Sequence, residues 1–336
     1  MGNIFSKCLK FFLFLSATVL LLYFAFRGLD MNAMLIQIGN ADYRWVAASS
    51  FFCIIALVFR TLRWHLLIEP LGDDSKKINI FHAINIGYLA NFFFPRIGEI
   101  TRCAALAKTD RISVDKLFGT VVVERIFDLL MTIFLLCLML ILRFHAVSSF
   151  IEEYVILIVI EKIKSLEKVF FIAVVLILLL IFVIYKLFLK KMMKTKAEKI
   201  FVGFVEGVKT ITQLRKVTLF IALNFLIFGA YLMQTYIMFF ALDSSSSLEL
   251  VDALFVLVLS ALAIIIPVQG GIGAYHWIIS IGLTVFGLTR EEGMAYATLS
   301  HTATSVLFII LGIISAICIL CIQKTKQTKT KPQEKI

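Results

Sequence analysis

Charge is scarce in this sequence. Only 16% of its 336 residues are charged, against 61% hydrophobic, and no long polar linker separates the apolar segments. That excludes a pair of ordinary soluble domains and leaves one integral membrane domain. Cysteine is sparse and scattered, at positions 8, 53, 103, 137, 318 and 321. None has a His or second Cys at metal-ligand spacing. Cys318 and Cys321 form a C-x-x-C at the end of an apolar helix, where packing rather than redox chemistry is expected. Catalytic signatures are missing as well: there is no H-E-x-x-H, no G-x-S-x-G and no carboxylate pair tied to a second ligand set. No catalytic residue, metal or cofactor is therefore expected, and the chain does not read as an enzyme.

What is present is a series of apolar spans punctuated by basic clusters. The net charge of +11 sits in short groups beside apolar runs. Such groups act as topology signals and contacts for anionic lipid rather than a nucleic-acid surface. Lys7 and Lys10 precede an apolar run whose small-x-small candidate, Ser16-Ala17-Thr18, falls mid-run, so an uncleaved first helix is expected. MGNIFS fits a myristoylation pattern that matters only in a eukaryotic cell. Residues 9–26, 45–66, 117–143, 169–189, 217–241 and 293–321 are each long enough to cross a bilayer at about 20 residues per helix. LDMNAMLIQIGNADY is amphipathic and expected at the outer surface. Basic clusters stay cytoplasmic, which places Lys7 and Lys10, Arg63 with Lys76 and Lys77, the 186–199 cluster and the lysine-rich tail inside. Loops 145–153 and 242–252 then face out, and six crossings put both termini in the cytoplasm. The tail, 323–336, is expected to be disordered.

Two apolar pieces do not fit as crossings. One runs from Ile78 to Phe94, stops at Pro95 and resumes to about residue 108. The other runs from Leu250 to Ile266, stops at Pro267 and resumes to about 287. Each resuming helix spans about 18–21 Å, short of the roughly 30 Å hydrocarbon core. The fold class expected is thus all-α, with about six transmembrane helices and two re-entrant hairpins, 78–108 and 250–287, entering from opposite faces. The tips PRIGE and PVQGG resemble each other, the pattern of an inverted repeat with a substrate site near the midplane. Both tips should meet there.

Broken backbone at membrane depth requires protein cover or a polar cavity. Pro95 suits a first helical position, Gly98 permits close approach, and the helix start favours an anion. Arg96 and Arg102 add guanidinium forks matched to phosphate. Glu99, three residues from each, can pair with either. These three form either an internal ion network or one that also meets ligand. Glu124, Arg125 and Asp128 open the 117–143 helix and can balance Arg96 or Arg102 from the side. In the second hairpin Gln269, Gly270, Gly271 and Gly273 form a loop whose N–H groups can face ligand, followed by Tyr275 and His276. His301 lies in the last helix with Thr298, Thr302 and Ser305 on adjoining faces, and is either a satisfied core residue or a ligand or proton contact.

The combination of N-x-x-x-P-R-x-G-E-x-x-R (Asn91 to Arg102), E-R-x-x-D (Glu124 to Asp128) and GGIGAYH (270–276) resembles the flippase-like transmembrane region of lysylphosphatidylglycerol synthases. The likeness covers roughly residues 10–320. It implies a polytopic bacterial inner-membrane protein that moves a lipid or lipid-linked head group between leaflets. Bifunctional relatives carry an aminoacyl-transfer domain after the membrane region, whereas this chain reaches Ile336 with a lysine-rich tail and is not expected to aminoacylate lipid itself. Many relatives have Pro-Gly-Gly and then a Glu in the second motif. Here a proton-coupled scheme would have to use His276. The expected partners are membrane lipids, an anionic phospholipid or lipid-linked substrate, and no nucleic acid. A homo-oligomer or a partner synthase stays open. The rival readings are a membrane scaffold or accessory subunit of a lipid or glycan synthase, and an intramembrane enzyme.

Overall fold

The computed structural model describes residues 16, 18–72, 75–110, 112–144, 148, 150, 196–264, 266 and 268–330. The expected crossing at 169–189, the MGNIFS segment, Pro267, and most of the 145–153 loop and 186–199 cluster lie outside them. Among the described residues the long elements are all α-helices: α1 (Thr18–Phe26), α2 (Met31–Gly39), α3 (Tyr43–Ile68), α4 (Lys77–Asn91), α5 (Gly98–Thr109), α6 (Val114–Leu142), α7 (Lys196–Lys209), α8 (Val217–Phe239), α9 (Leu250–Ala263), α10 (Ala274–Thr284) and α11 (Arg290–Thr330). Helices are forced on such apolar runs because lipid offers the backbone no hydrogen bonds. Asp residues start the two that follow chain bends. Asp30 accepts from the N–H groups of Asn32 and Ala33 before α2, and Asp42 from Arg44 before α3.

Among the described residues four helices are long and apolar enough to cross a membrane, at Tyr43–Leu71, Val114–Leu142, Val217–Phe239 and Arg290–Lys324. They contain the crossings expected at 45–66, 117–143, 217–241 and 293–321 almost completely. α1 and α2 meet at a 94° bend. The last helix continues through Thr330, so residues 323–330, expected to be disordered, extend α11 instead.

Polar contacts fix the directions of the crossings. Ser49 donates to the Gln234 carbonyl near one end of the α3–α8 pair, and Arg63 to Asn224 near the other, so α3 and α8 are antiparallel. Gln234 to Thr304 and Phe239 beside Tyr296 set α8 and α11 antiparallel. Exposed Leu129, Ile141, Ile264 and Leu320 give the bundle an apolar outer surface suited to lipid.

The two proline-interrupted segments form helical hairpins. Their helices hold 15 and 12 residues in α4 and α5, and 14 and 11 in α9 and α10. At 1.5 Å per residue none exceeds about 23 Å, too short to cross. α4 descends along the far part of α11, with His82 bonded to Ser315 and Tyr88 stacked on Phe308. α10 packs on the near part, with Gly293 against Ser280 and Tyr275 bonded to Ser300. The hairpins therefore enter from opposite ends of one helix. Two apolar cores follow this division, one around α4, α5 and the start of α6, the other around α9, α10 and the start of α11.

The tips meet. Gln269 donates to the Phe93 carbonyl at 3.1 Å, and the Phe92 ring lies so close to Gly270 that a Cβ there would stand 2.8 Å from it.

Candidate functional site

Between the tips and the crossing helices lies a cavity of about 410 Å³. Its polar end is an arginine–carboxylate cluster. Asp128 is paired with Arg60 at 2.7 Å, Arg63 at 2.8 Å and Arg125 at 3.3 Å. Glu124, one turn earlier on α6, is paired with Arg63 at 3.1 Å and Arg102 at 2.6 Å. The surroundings complete these bonds: Asn224 accepts from Arg63, Tyr88 and Tyr231 accept from Arg60, and the Arg102 guanidinium lies 4.5 Å from the Trp64 ring centre. The Trp64 indole N–H is itself held by Thr120. Arg63 and Glu124 are completely covered, and Arg102 nearly so.

Charge does not balance in this cluster. Among the ion pairs of the described residues, four guanidinium groups share two carboxylates, an excess of two positive charges in a place where uncompensated charge is costly. Arg60, Arg125 and Asp128 line the cavity, and the Arg125 side chain is 45% exposed.

The opposite end of the cavity is neutral. Gly270, Gly271, Tyr275, Ser300 and His301 line it. His301 Nε2 is 2.9 Å from the Gly270 carbonyl, which can only accept, so Nε2 carries the proton. Ser305 lies 3.4 Å from the other ring nitrogen, Nδ1.

Several residues expected to meet ligand make bonds within the scaffold. Asn91 Oδ1 accepts the Gly98 N–H at 2.8 Å, occupying the helix start proposed for an anion. α5 begins at Gly98 with Ile97 as its cap, so Pro95 precedes the helix rather than opening it. Gly98 sits against the Gly87 backbone, which lets α4 and α5 close on each other. Arg102 pairs with Glu124 across on α6, and the buried Glu99 Oε2 has no hydrogen-bond partner among the described residues. Arg96 is exposed at the tip with φ of +60°, a conformation costly for any residue with a Cβ. Gln269 ties the tips together, and His276 Nδ1 accepts the Gly273 N–H at 3.4 Å, capping α10. Arg96, Glu99, Arg102, Asn91, Gly98, Gln269 and His276 are not among the cavity-lining residues. Gly270, Gly271, Tyr275, His301, Arg125 and Asp128 are.

Two central residues escaped sequence reasoning. Arg60 was not singled out, and Arg63 was counted as a cytoplasmic loop charge. The signal available was their i,i+3 spacing inside an apolar span, F-R-T-L-R-W, which puts both on one helix face. No cluster of three His, Cys, Asp or Glu suited to a metal occurs among the described residues.

A bundle of lipid-facing helices enclosing two opposed, broken-helix hairpins and a charged internal cavity defines a polytopic membrane protein. The chain belongs to the lysylphosphatidylglycerol synthase TM region family, which matches residues 9–312. The UPF0104 membrane protein of Methanocaldococcus jannaschii is 31% identical over 149 residues, 43% of either chain. The glycosyltransferase AglD of Haloferax volcanii is 30% identical over 114 residues, 34% of this chain and 18% of that one. A UPF0104 membrane protein of Methanothermobacter thermautotrophicus is 23% identical over 273 residues, 76% of this chain and 80% of its own. This chain thus covers less than half the length of the first two. All three come from archaea, whereas the family resemblance had suggested a bacterial inner membrane. No solved structure matches.

Proposed function

We propose that this protein moves an anionic lipid or lipid-linked head group between leaflets, the phosphate resting against Arg125 and Arg60 in the central cavity. The observation behind this reading is the uncompensated pair of positive charges at a cavity flanked by hairpins from both ends of the bundle. An anion offsets that charge, and guanidinium forks fit phosphate oxygens. Relative to the sequence, the phosphate ligand moves from Arg96 and Arg102 to Arg125 and Arg60. The reading requires no covalent chemistry, and the chain acts as a carrier in a cytoplasmic membrane with both termini inside.

Reconstituted liposomes test it. Fluorescent anionic lipid in the inner leaflet should become quenchable from outside faster with the protein than without, and Arg125→Ala should slow this by about tenfold, the loss of one charge-assisted bond. Equal rates with and without protein would remove the reading. In intact cells an impermeant thiol reagent should label a cysteine placed at Ser246 and not one placed at Thr212, at the other end of α8, and labelling at 212 would overturn the orientation.

A second reading has its own support in the 114 residues shared with a protein named a glycosyltransferase. Here the chain would be an accessory membrane subunit of a lipid or glycan synthase. A synthase retained by the purified protein, together with no lipid movement in liposomes, would favour it.

A further inference from the structure

The cavity is chemically two-ended, and the two ends discriminate between head groups. At one end stand Arg60, Arg125 and the hydroxyls of Tyr88 and Tyr231, which accept from Arg60. At the other stand Tyr275, Ser300 and His301, with Gln234 and Thr304 nearby. Phe308, stacked on Tyr88, marks the charged end on α11, and His301 the neutral one. Seven residues apart, they are about 10 Å apart along the helix axis.

The lining also excludes one class of ligand. Among the described residues Asp128 is its only carboxylate, and three guanidinium groups already occupy it. An ammonium group entering the cavity would find no free negative charge and would be repelled by Arg60 and Arg125. Neutral hydroxyls and amides, by contrast, donate and accept equally well, as a polyol needs. Aromatic rings from Phe92, Tyr231 and Phe308 add apolar faces. The C–H face of a sugar ring can lie against such a face, whose π-cloud is negative. A cavity of about 410 Å³ lies in the range of small-molecule sites and suits a compact head group rather than a long oligosaccharide.

We infer that the cavity recognises a single sugar ring joined to a lipid phosphate, and rejects a cationic aminoacyl head group. This rests on the lipid-carrier reading above and specifies its substrate class. The phosphate sits between Arg60 and Arg125, and the sugar hydroxyls reach toward Tyr275, Ser300 and Gln234.

The test measures binding and movement with four lipids on the purified full chain: a short-chain polyprenyl phosphohexose, the bare polyprenyl phosphate, phosphatidylglycerol and lysyl-phosphatidylglycerol. Competition in native mass spectrometry should rank the phosphohexose about tenfold above the bare phosphate, and lysyl-phosphatidylglycerol about tenfold below phosphatidylglycerol. Tyr275→Phe keeps the ring and removes only the hydroxyl; it should lower the ratio of phosphohexose to bare phosphate binding severalfold. Arg125→Ala should weaken both, and Arg125→Lys should restore part of the loss. Lysyl-phosphatidylglycerol binding as tightly as phosphatidylglycerol, or a sugar that adds nothing, would overturn the inference. If liposomes move all anionic lipids without regard to head group, the carrier reading survives and the sugar assignment falls. If none of the four binds or moves, both fall.

Discussion

The first hairpin, α4–α5, is held at depth by charge, and the second, α9–α10, by backbone geometry. In the first, Arg102 leaves α5 to pair with Glu124 on α6 while Asn91 and the Gly87–Gly98 contact close the turn. In the second, Gly270, Gly271 and Gly273 all take positive φ, and the tip is held by His301 on the Gly270 carbonyl and Gln269 on Phe93. Its charged anchor is instead at its mouth, where Arg143 at the end of α6 meets Glu249 and Asp252 at 2.8 and 2.9 Å. One helix, α6, thus fastens each hairpin at a different depth. The difference separates a wall locked by buried ion pairs from a glycine tip whose shape depends on neutral hydrogen bonds that a ligand can replace.

The largest expected effect breaks the first hairpin. Glu124→Ala leaves Arg63 and Arg102 buried beside one fewer carboxylate, and should cost roughly 3–5 kcal/mol, read as a lowered melting temperature in detergent. A loss below about 1 kcal/mol would mean that charge does not hold this hairpin. A smaller effect of opposite sign is expected at its tip. Arg96 stands at φ of +60°, so Arg96→Gly should gain about 0.5–1 kcal/mol over Arg96→Ala, the αL strain relieved less the entropy glycine adds to the unfolded chain. Equal stability of the two variants would place the strain elsewhere. The smallest effect belongs to the mouth of the second hairpin. Arg143 is one-third exposed and Glu249 mostly so, and Arg143→Ala should cost no more than about 1 kcal/mol globally. Amide exchange at 249–253 should nevertheless rise, because the start of α9 loses its tie to α6. Unchanged exchange there would show the capping pair of Glu249 and Asp252 to be sufficient.

Much of the fold was legible in the chain. Hydropathy and length are local quantities, so the spans at 45–66, 117–143, 217–241 and 293–321 reappear in α3, α6, α8 and α11. Proline and glycine likewise act locally, and the hairpins and their opposed entry could be read from Pro95, Pro267 and the charge pattern. The site was less legible. Arg63 looked like a loop charge because sequence gives no partner for it, and only the fold brings Glu124, Asp128 and Asn224 to its guanidinium.

The same limit explains Asn91, Gln269 and His276. Each is a polar side chain beside a broken helix, where a ligand contact and a backbone cap call for the same residue types. Sequence alone determined the solvent, the helical class and the places where helices break, because lipid imposes those through hydropathy and backbone satisfaction along each segment. Tertiary structure decided which polar groups cap the scaffold and which face the cavity, because that depends on distances between segments far apart in the chain, such as Arg60 to Asp128 and Gln269 to Phe93.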